Sequence, residues 1–226
     1  NYDQAIAYFR KTLEIDDHQE DTETLIADLL AAHRNYAGEL AQYFSQQAET
    51  ITFTDVTESA GLSDYQAKRA AWGDFNQDGF ADLLLDGRLL FRNNQDGSFT
   101  DISEAAGLDQ VKRSTGGIWA DYDNDGDPDI FVTTHGENYL FENLGAGEFE
   151  DVTDMAFDGP LPKNRTEAAA WGDMDSDGYL DLYVANYERR GVMRALGTQD
   201  QLYRNNGNGS FTEISFEAGT HSEEAM

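Results

Sequence analysis

From residue 51 onward the chain alternates short apolar segments with polar, glycine-containing turns. In the clearest stretch, residues 69–72, 82–86, 89–93 and 99–102 have the length and composition of β-strands. The second of these segments contains Leu83, Leu84 and Leu85 in succession, which indicates a strand buried on both faces. The pattern predicts four short strands joined by tight turns.

This pattern occurs three times. Trp72, Trp119 and Trp171 share one context, in which a small or apolar residue precedes the tryptophan and Gly-Asp or Ala-Asp follows it. A second motif returns after each tryptophan, at 90–100, 140–150 and 202–212, and contains Leu-Phe or Leu-Tyr, then asparagine, then Gly-x-Phe. Two motifs that keep one order at a period of roughly 50 residues are typical of β-propeller blades.

We therefore predict a mainly β fold with three four-stranded propeller blades in a domain at 49–226. The blades are expected at about 65–108, 112–158 and 164–220, and three blades are too few to close a ring, which typically needs 4–8. We expect the chain to be part of a longer propeller, and the alternative is that partner chains supply the missing faces in an oligomer or fibre. The third repeat is longer, because extra residues that include Arg189, Arg190 and Arg194 fall between Asn186 and Gln201.

Residues 1–48 have a different pattern, with apolar residues at helical spacing. It predicts helices at about 3–15, 22–33 and 36–48. The first resembles the second helix of a tetratricopeptide repeat through the pair Ala5 and Phe9, although Asp17 and His18 stand where a proline is expected. An unrelated amphipathic helical hairpin is the alternative.

A nine-residue acidic loop begins two residues after each tryptophan. Oxygen-bearing side chains occupy its positions 1, 3, 5 and 9, and glycine occupies position 6. The candidate metal ligands, which include the backbone carbonyl of position 7, are Asp74, Asn76, Asp78, Phe80 and Asp82 in the first loop; Asp121, Asp123, Asp125, Asp127 and Asp129 in the second; and Asp173, Asp175, Asp177, Tyr179 and Asp181 in the third.

This spacing suits Ca²⁺, which binds 6–8 oxygen ligands, because a tight loop can aim alternate side chains at one point. Glycine at position 6 permits the sharp turn. We predict about three calcium ions, one in each loop. An EF-hand would need a glutamate at position 12, where Leu85, Val132 and Val184 stand. Zinc would prefer His or Cys and magnesium a more octahedral site, while a metal-free Asp/Gly turn is the remaining alternative.

These loops, together with the following Asn-x3-Gly-x-Phe hairpins, resemble the FG-GAP/VCBS repeat family over roughly residues 51–220. The Ala60-Gly61-Leu62 and Ala106-Gly107-Leu108 segments add to the resemblance. The resemblance implies a β-propeller with calcium between the first two strands of a blade. It also implies an extracellular, cell-surface or periplasmic location. Asn76 departs from the acidic pattern, and we expect the first loop to bind calcium more weakly.

The composition of the chain disfavours several classes of partner and activity. The chain has 44 acidic and 15 basic residues and a formal net charge of -29, which disfavours nucleic-acid and anionic-membrane partners. It has no cysteine, and its longest apolar runs are too short for membrane insertion. Its four histidines are dispersed, and no catalytic motif is recognisable.

The sequence thus predicts a calcium-binding, non-enzymatic scaffold for adhesion, recognition or assembly. Its partner would be a protein or glycan, or other copies of the chain. One alternative is a helix-mediated interaction adaptor. A second is a subunit of an oligomer or fibre that neighbouring chains complete, and an enzyme that uses the propeller face ranks below both.

Overall fold

A computed structural model describes residues 53–145, 147–157, 161–187 and 199–220. The predicted helical segment 1–48, its tetratricopeptide-like helix and the arginines at 189, 190 and 194 lie outside these residues. From Asp55 onward the described residues belong to one compact unit, Asp55–Met226. They are mainly β, as predicted, with one 3-10 helix, Leu108–Gln110, and one short helix, α1 (Thr153–Ala156).

The first repeat (70–101) is a four-stranded antiparallel sheet. It consists of β1 (Ala70–Gly73), β2 (Asp82–Leu85), β3 (Leu89–Asn93) and β4 (Phe99–Asp101), which pair in sequence order. All four strands lie within one residue of the bounds predicted from the sequence. Short local signals therefore suffice to place the strands of this repeat, because each is bounded by a turn with its own sequence signature.

The second repeat (114–151) and the third (164–213) have the same internal order. The second contains β5 (Ser114–Ala120), β6 (Asp129–Gly136), β7 (Tyr139–Asn143) and β8 (Phe149–Asp151). The third contains β9 (Asn164–Gly172), β10 (Asp181–Asn186), β11 (Gln201–Asn205) and β12 (Phe211–Glu213).

The second and third repeats are joined into a single eight-stranded sheet that curls into half a barrel. The junction is an antiparallel pairing of β6 with β9, in which His135 faces Arg165 and Gly136 faces Asn164. It exists because β6 has 8 residues and β9 has 9, whereas β1 and β2 have 4 each, so the longer strands extend past their own partners. The sequence had predicted separate blades and did not reveal this pairing.

A buried polar network stabilises the junction. The Asn138 side-chain amide donates to the Thr166 hydroxyl at 2.9 Å, and that hydroxyl donates to Asn186 Oδ1 at 2.8 Å. The Asn186 amide in turn donates to Gln201 Oε1 at 2.9 Å. Because each of these buried groups has a partner, the network adds specificity without leaving polar atoms unsatisfied.

Two hydrophobic cores lie between neighbouring repeats. One core lies between the first and second repeats and the other between the second and third, and in both a trailing face of the earlier repeat packs against a leading face of the later one at equivalent positions. The trailing face consists of loop position 2, the middle of the second strand and an alanine after the fourth strand: Phe75, Leu84 and Ala106; Tyr122, Phe131 and Ala156; Met174, Tyr183 and Ala218. The leading face consists of the tryptophan, the aromatic residue of the third strand and the phenylalanine of the fourth: Trp72, Phe91 and Phe99; Trp119, Phe141 and Phe149; Trp171, Tyr203 and Phe211.

The same turn follows each fourth strand. The backbone N–H of Ala106 donates to the Ile102 carbonyl at 2.9 Å, and Ala218 donates to Ile214 in the same way at 2.9 Å. Ala60 repeats the pattern with Val56 at 2.8 Å, which shows that residues 53–62 correspond to the end of a repeat. Residues 53–56 have no strand pairing, and Phe53 is 97% exposed.

Within the described ranges, no helix is both long and apolar enough to cross a membrane.

Candidate metal centre

The three acidic loops connect the first two strands of each repeat, as predicted. Their backbones share one path, because position 4 (Gln77, Asn124 and Ser176) and the glycine at position 6 all have positive φ. At Gly79, Gly126 and Gly178 no neighbouring atom lies within 4 Å of where a Cβ would stand. Glycine is therefore favoured here by the backbone conformation, with φ between 86° and 100°, and not by crowding.

The first aspartate of each loop holds the turn together. Its Oδ2 accepts the backbone N–H of the position 6 glycine, at 2.9 Å from Gly79 to Asp74 and at 3.1 Å in the other two loops. The position 5 carboxylate accepts the N–H of position 7 in the same way in all three loops. These bonds direct the carboxylates toward the inside of the turn.

The last aspartate of each loop is the most buried, with Asp82, Asp129 and Asp181 between 0% and 2% exposed. In the second loop, Asp129 Oδ2 accepts the Tyr122 N–H at 3.1 Å and Oδ1 accepts the Asn143 N–H at 2.9 Å. The same two bonds recur in the other loops. This residue therefore ties the start of the loop to the end of the third strand, a structural role that the sequence did not reveal.

Charge accumulates in the second loop. Burial raises the pKa of Asp129 to about 7, although its two backbone hydrogen bonds oppose the shift, and the nearby Asp123 and Asp125 carboxylates raise it further. Burial also raises the pKa of Asp123, and Asp125 and Asp121 add to that rise. Carboxylates this close are unfavourable together unless a proton or a cation offsets their repulsion.

The second and third loops each bring three carboxylates together. One oxygen from each of Asp121, Asp123 and Asp129 lies within 4.8 Å of the others, and Asp173, Asp175 and Asp177 form a second group of the same kind. Asp121 Oδ1 is also buried without a hydrogen-bond partner. Oxygen donors on alternate residues with one unsatisfied buried oxygen fit a hard divalent cation such as Ca²⁺, and neither group contains a His or Cys ligand for zinc.

The grouping differs from the predicted ligand set. The Asp125 carboxylate is not a member of the second group, and the Asp181 carboxylate is not a member of the third. Among the described residues no such group forms in the first loop, where Asn76 replaces an acid and its amide donates to Asp78 Oδ2 at 3.3 Å. Carbonyl coordination by Phe80, Asp127 and Tyr179 stays a prediction.

Side-chain amides link each loop to the next. Gln77 donates to the Gly126 carbonyl at 2.9 Å and to the Asp127 carboxylate, and Asn124 donates to the Gly178 carbonyl at 3.0 Å. The sequence did not reveal these links. Their signal was available, since position 4 is Gln in the first loop and Asn in the second.

A second set of amides crosses between repeats. Asn143 donates to the Phe75 carbonyl at 2.9 Å, and Asn205 donates to the Tyr122 carbonyl at 2.7 Å. Both asparagines belong to the recurring motif at the end of the third strand, and the sequence did not reveal that their side chains reach the preceding repeat. The acidic loops are therefore fixed both to their own repeat and to the adjacent one.

Comparison with known families matches residues 86–132 and 121–184 to the FG-GAP-like repeat. Residues 86–184 of the chain are thus similar to FG-GAP-like repeats. The two matched stretches include the second and third acidic loops, and they begin after the first loop. The FG-GAP part of the resemblance seen in the sequence is confirmed, whereas its VCBS part stays a prediction.

Three similar proteins are named cartilage acidic protein 1. The chain is 32% identical to the protein from Xenopus tropicalis over 151 residues, covering 62% of this chain and 23% of that protein. It is 30% identical to the Mus musculus protein over 150 residues, with 62% and 23% covered. For the Homo sapiens protein the identity is 29% over 150 residues, with 62% and 22% covered. The alignments thus span less than a quarter of these relatives.

Among solved structures, one of the Photorhabdus luminescens Tc holotoxin pore aligns with a TM-score of 0.39 and 20% sequence identity. The alignment covers 67% of this chain and 7% of that one.

Proposed function

We propose that the chain is a calcium-stabilised repeat module of the β-propeller type, which serves outside the cell as a non-enzymatic scaffold for adhesion, recognition or assembly. The observation that carries this proposal is the second acidic loop. There Asp121, Asp123 and Asp129 converge within 4.8 Å, and Asp121 retains a buried oxygen without a partner.

Asp121, Asp123 and Asp129 would hold calcium in the second loop, and Asp173, Asp175 and Asp177 would hold it in the third. A bound calcium ion would offset the repulsion among these carboxylates. The chain's own part is to orient the ligands, through the backbone donors at positions 5 to 7. In the first loop Asp74, Asn76 and Asp78 form the weaker candidate set.

The loops are placed so that ion binding would stabilise contacts between repeats. Tyr122 follows Asp121 directly, its carbonyl accepts the Asn205 amide, and its ring packs against Phe211 at 5.8 Å between centroids. A loop held rigid by calcium would hold these contacts in place as well. Binding is thereby expected to couple to the stability of the whole array of repeats.

The propeller interpretation draws support from the order of the strands. Each repeat is a four-stranded antiparallel unit, and neighbouring repeats pack trailing face against leading face around a shared core. This is the arrangement expected of consecutive blades. The pairing of β6 with β9 adds a connection that separate blades would lack.

An extracellular location is supported by the relatives, since cartilage acidic protein 1 is named after cartilage, a tissue that consists mostly of extracellular matrix. This chain is also acidic, with a net charge of -29, as the name of these relatives says of them. The partner would be a protein or a glycan. A role as a helix-mediated adaptor would depend on residues 1–48, which lie outside the described part of the chain.

Calcium binding is testable by calorimetric titration and thermal unfolding of the full chain after treatment with chelator. At free calcium a hundredfold above Kd, each site should add about 2.7 kcal/mol, which raises Tm by several degrees. The double variant Asp121→Asn/Asp123→Asn should lose one binding event. Asp154→Asn, a matched change at an exposed carboxylate in α1, should leave both the stoichiometry and the Tm shift intact.

Chain that neither releases heat with calcium nor changes its Tm would overturn the proposal. An equal response to magnesium would argue against calcium selectivity. Turnover in a hydrolase or lyase screen would contradict the non-enzymatic role.

A further inference from the structure

The turn between β11 and β12 contains two Asn-Gly dipeptides, Asn206-Gly207 and Asn208-Gly209. At such a step the asparagine side chain can react with the backbone nitrogen of the next residue, because glycine has no Cβ to obstruct the approach. By sequence the two steps are equivalent. Any difference in their reactivity therefore comes from the fold.

The fold restrains the first of these steps. The backbone N–H of Gly207 donates to Asn205 Oδ1 at 3.0 Å. The Asn206 side chain is held at both ends, since its amide donates to Ser210 Oγ at 3.0 Å and its Oδ1 accepts the Thr212 hydroxyl at 3.1 Å. The side-chain carbon of Asn206 and the nitrogen of Gly207 therefore meet only after these bonds break.

The second step lacks these restraints. Within the described part of the chain, neither the Gly209 N–H nor the Asn208 side-chain amide donates a hydrogen bond. Asn208 is exposed, and no atom lies within 4 Å of where a Cβ on Gly209 would stand. Water therefore reaches both the backbone nitrogen that would attack and the amide group that would leave.

Ser210 polarises the side-chain carbonyl of Asn208. Its N–H donates to Asn208 Oδ1 at 3.1 Å, and its hydroxyl donates to the same oxygen at 2.7 Å. A side chain that accepts the N–H two residues further on curls back over the intervening peptide, which brings its carbonyl carbon toward the Gly209 nitrogen. The two donors would also stabilise the negative charge that develops on Oδ1 when this carbon is attacked.

We propose that Asn208 is a site of spontaneous deamidation. The Gly209 nitrogen loses its proton to solvent and forms a bond to Asn208 Cγ, the Cγ–Nδ2 bond breaks, and ammonia leaves with a proton taken from solvent. Water then opens the resulting succinimide. Cleavage between the nitrogen and Cγ gives aspartate, and cleavage between the nitrogen and the backbone carbonyl carbon gives isoaspartate. Water is the only co-reactant, and no oxidation or reduction occurs.

The first repeat shows that the aspartate product fits this turn. Asp96 stands at the position of Asn208, and its Oδ1 accepts the Ser98 N–H at 2.9 Å and the Ser98 hydroxyl at 2.6 Å. Isoaspartate differs, because its backbone runs through the side chain and is longer by a methylene group. The added length falls just before Phe211, which is 2% exposed in the core between the second and third repeats. The isoaspartate product should therefore weaken that core.

The test is incubation of the full chain in mildly alkaline buffer, followed by peptide mapping with mass spectrometry. In the folded chain Asn208 should exchange its amide for an acid on the order of tenfold faster than Asn206, or more, because the bonds around Asn206 must first break. In chain unfolded with guanidinium chloride the two residues should react at comparable rates.

The proposal does not rest on calcium binding. The incubation is run with calcium and with chelator, and circular dichroism identifies the samples that are folded. A chain without any calcium response can still show the difference between Asn208 and Asn206.

Asn208→Asp is the matched variant, because it keeps the acceptor for Ser210 and has no ammonia to lose. Freshly purified, it should have the Tm of the fresh unmodified chain. The unmodified chain after incubation should contain isoaspartate at this position and unfold at a lower Tm.

Two results would overturn the inference. Asn206 could deamidate as fast as Asn208 in the folded chain, or Asn208 could stay intact there for a time in which both react in the unfolded chain. An incubated chain that contains isoaspartate and keeps its Tm would contradict the expected effect on the core.

Discussion

The first and second acidic loops share a backbone path but differ in what they gather. In the second, Asp121, Asp123 and Asp129 converge on one point, and one carboxylate oxygen is left buried and unpartnered. In the first loop, Asn76 stands where the other loops have an acid, and its amide donates a hydrogen bond to the Asp78 carboxylate. Positions 1, 6 and 9 make the same backbone contacts in both loops, whereas among the described residues a group of three carboxylates forms in the second loop, where position 3 is an acid, and not in the first.

We expect the largest effect on stability from Asp129, whose carboxylate has a structural role in addition to its predicted role as a metal ligand. Asp129→Ala removes the acceptor of two backbone N–H groups in a buried site, and each unsatisfied donor costs about 1–3 kcal/mol. We expect a loss of about 3 kcal/mol in the free energy of unfolding, measured by urea titration in the presence of a chelator.

Asp125→Ala is the matched control, because it removes a carboxylate of the same loop that accepts one backbone N–H at an exposed position. Its effect in chelator should be below about 1 kcal/mol. If the two variants lose equal stability, Asp129 has no special structural role.

The second prediction compares the equivalent asparagines of the first two repeats. Asn143 is 1% exposed, and its amide donates to Phe75 in the preceding repeat and to Pro128 in its own. The amide of Asn93 donates to Ala81 in its own repeat. Asn143→Ala should cost about 2 kcal/mol and Asn93→Ala about 1 kcal/mol by urea unfolding.

Equal losses for the two asparagine variants would show that the bond to the preceding repeat contributes nothing measurable. A larger loss for Asn93→Ala would reverse the comparison.

We expect the smallest effect from a variant that gives the first loop the acidic position 3 of the second loop. Asn76→Asp adds the missing carboxylate, and calorimetric titration should show the first loop binding calcium about tenfold more tightly, which corresponds to about 1.4 kcal/mol. In chelator the same variant should be slightly less stable, because a third charge joins Asp74 and Asp78. Unchanged affinity would mean that position 3 does not set the strength of the site.

Strand positions were predictable from the sequence because their signals are local. The bounds of β1 to β4 were predicted to within one residue, and the acidic loops fall between the first two strands of each repeat as expected. The mainly β class followed from the same short apolar segments. Nothing in the structure tests the expected calcium ions, and they are part of the proposed function.

Pairings between repeats were not predictable in this way. The connection of β6 to β9 depends on two strands being long enough to pass their own partners, which the alternation of apolar and polar residues does not reveal. The role of Asp129 was equally hidden. Its position in the loop predicted a metal ligand, and only the folded chain shows that Tyr122 and Asn143 donate to both of its oxygens.

The sequence alone determined the threefold repeat, its strands and turns, and the acidic loops, since each follows from the conformational preferences of a few adjacent residues. The tertiary structure decided which faces are covered, which carboxylates meet and where two repeats merge into one sheet. The covered faces and the merged sheet arise from contacts between different repeats, as between Asn205 and Tyr122, where packing and desolvation outweigh local preference.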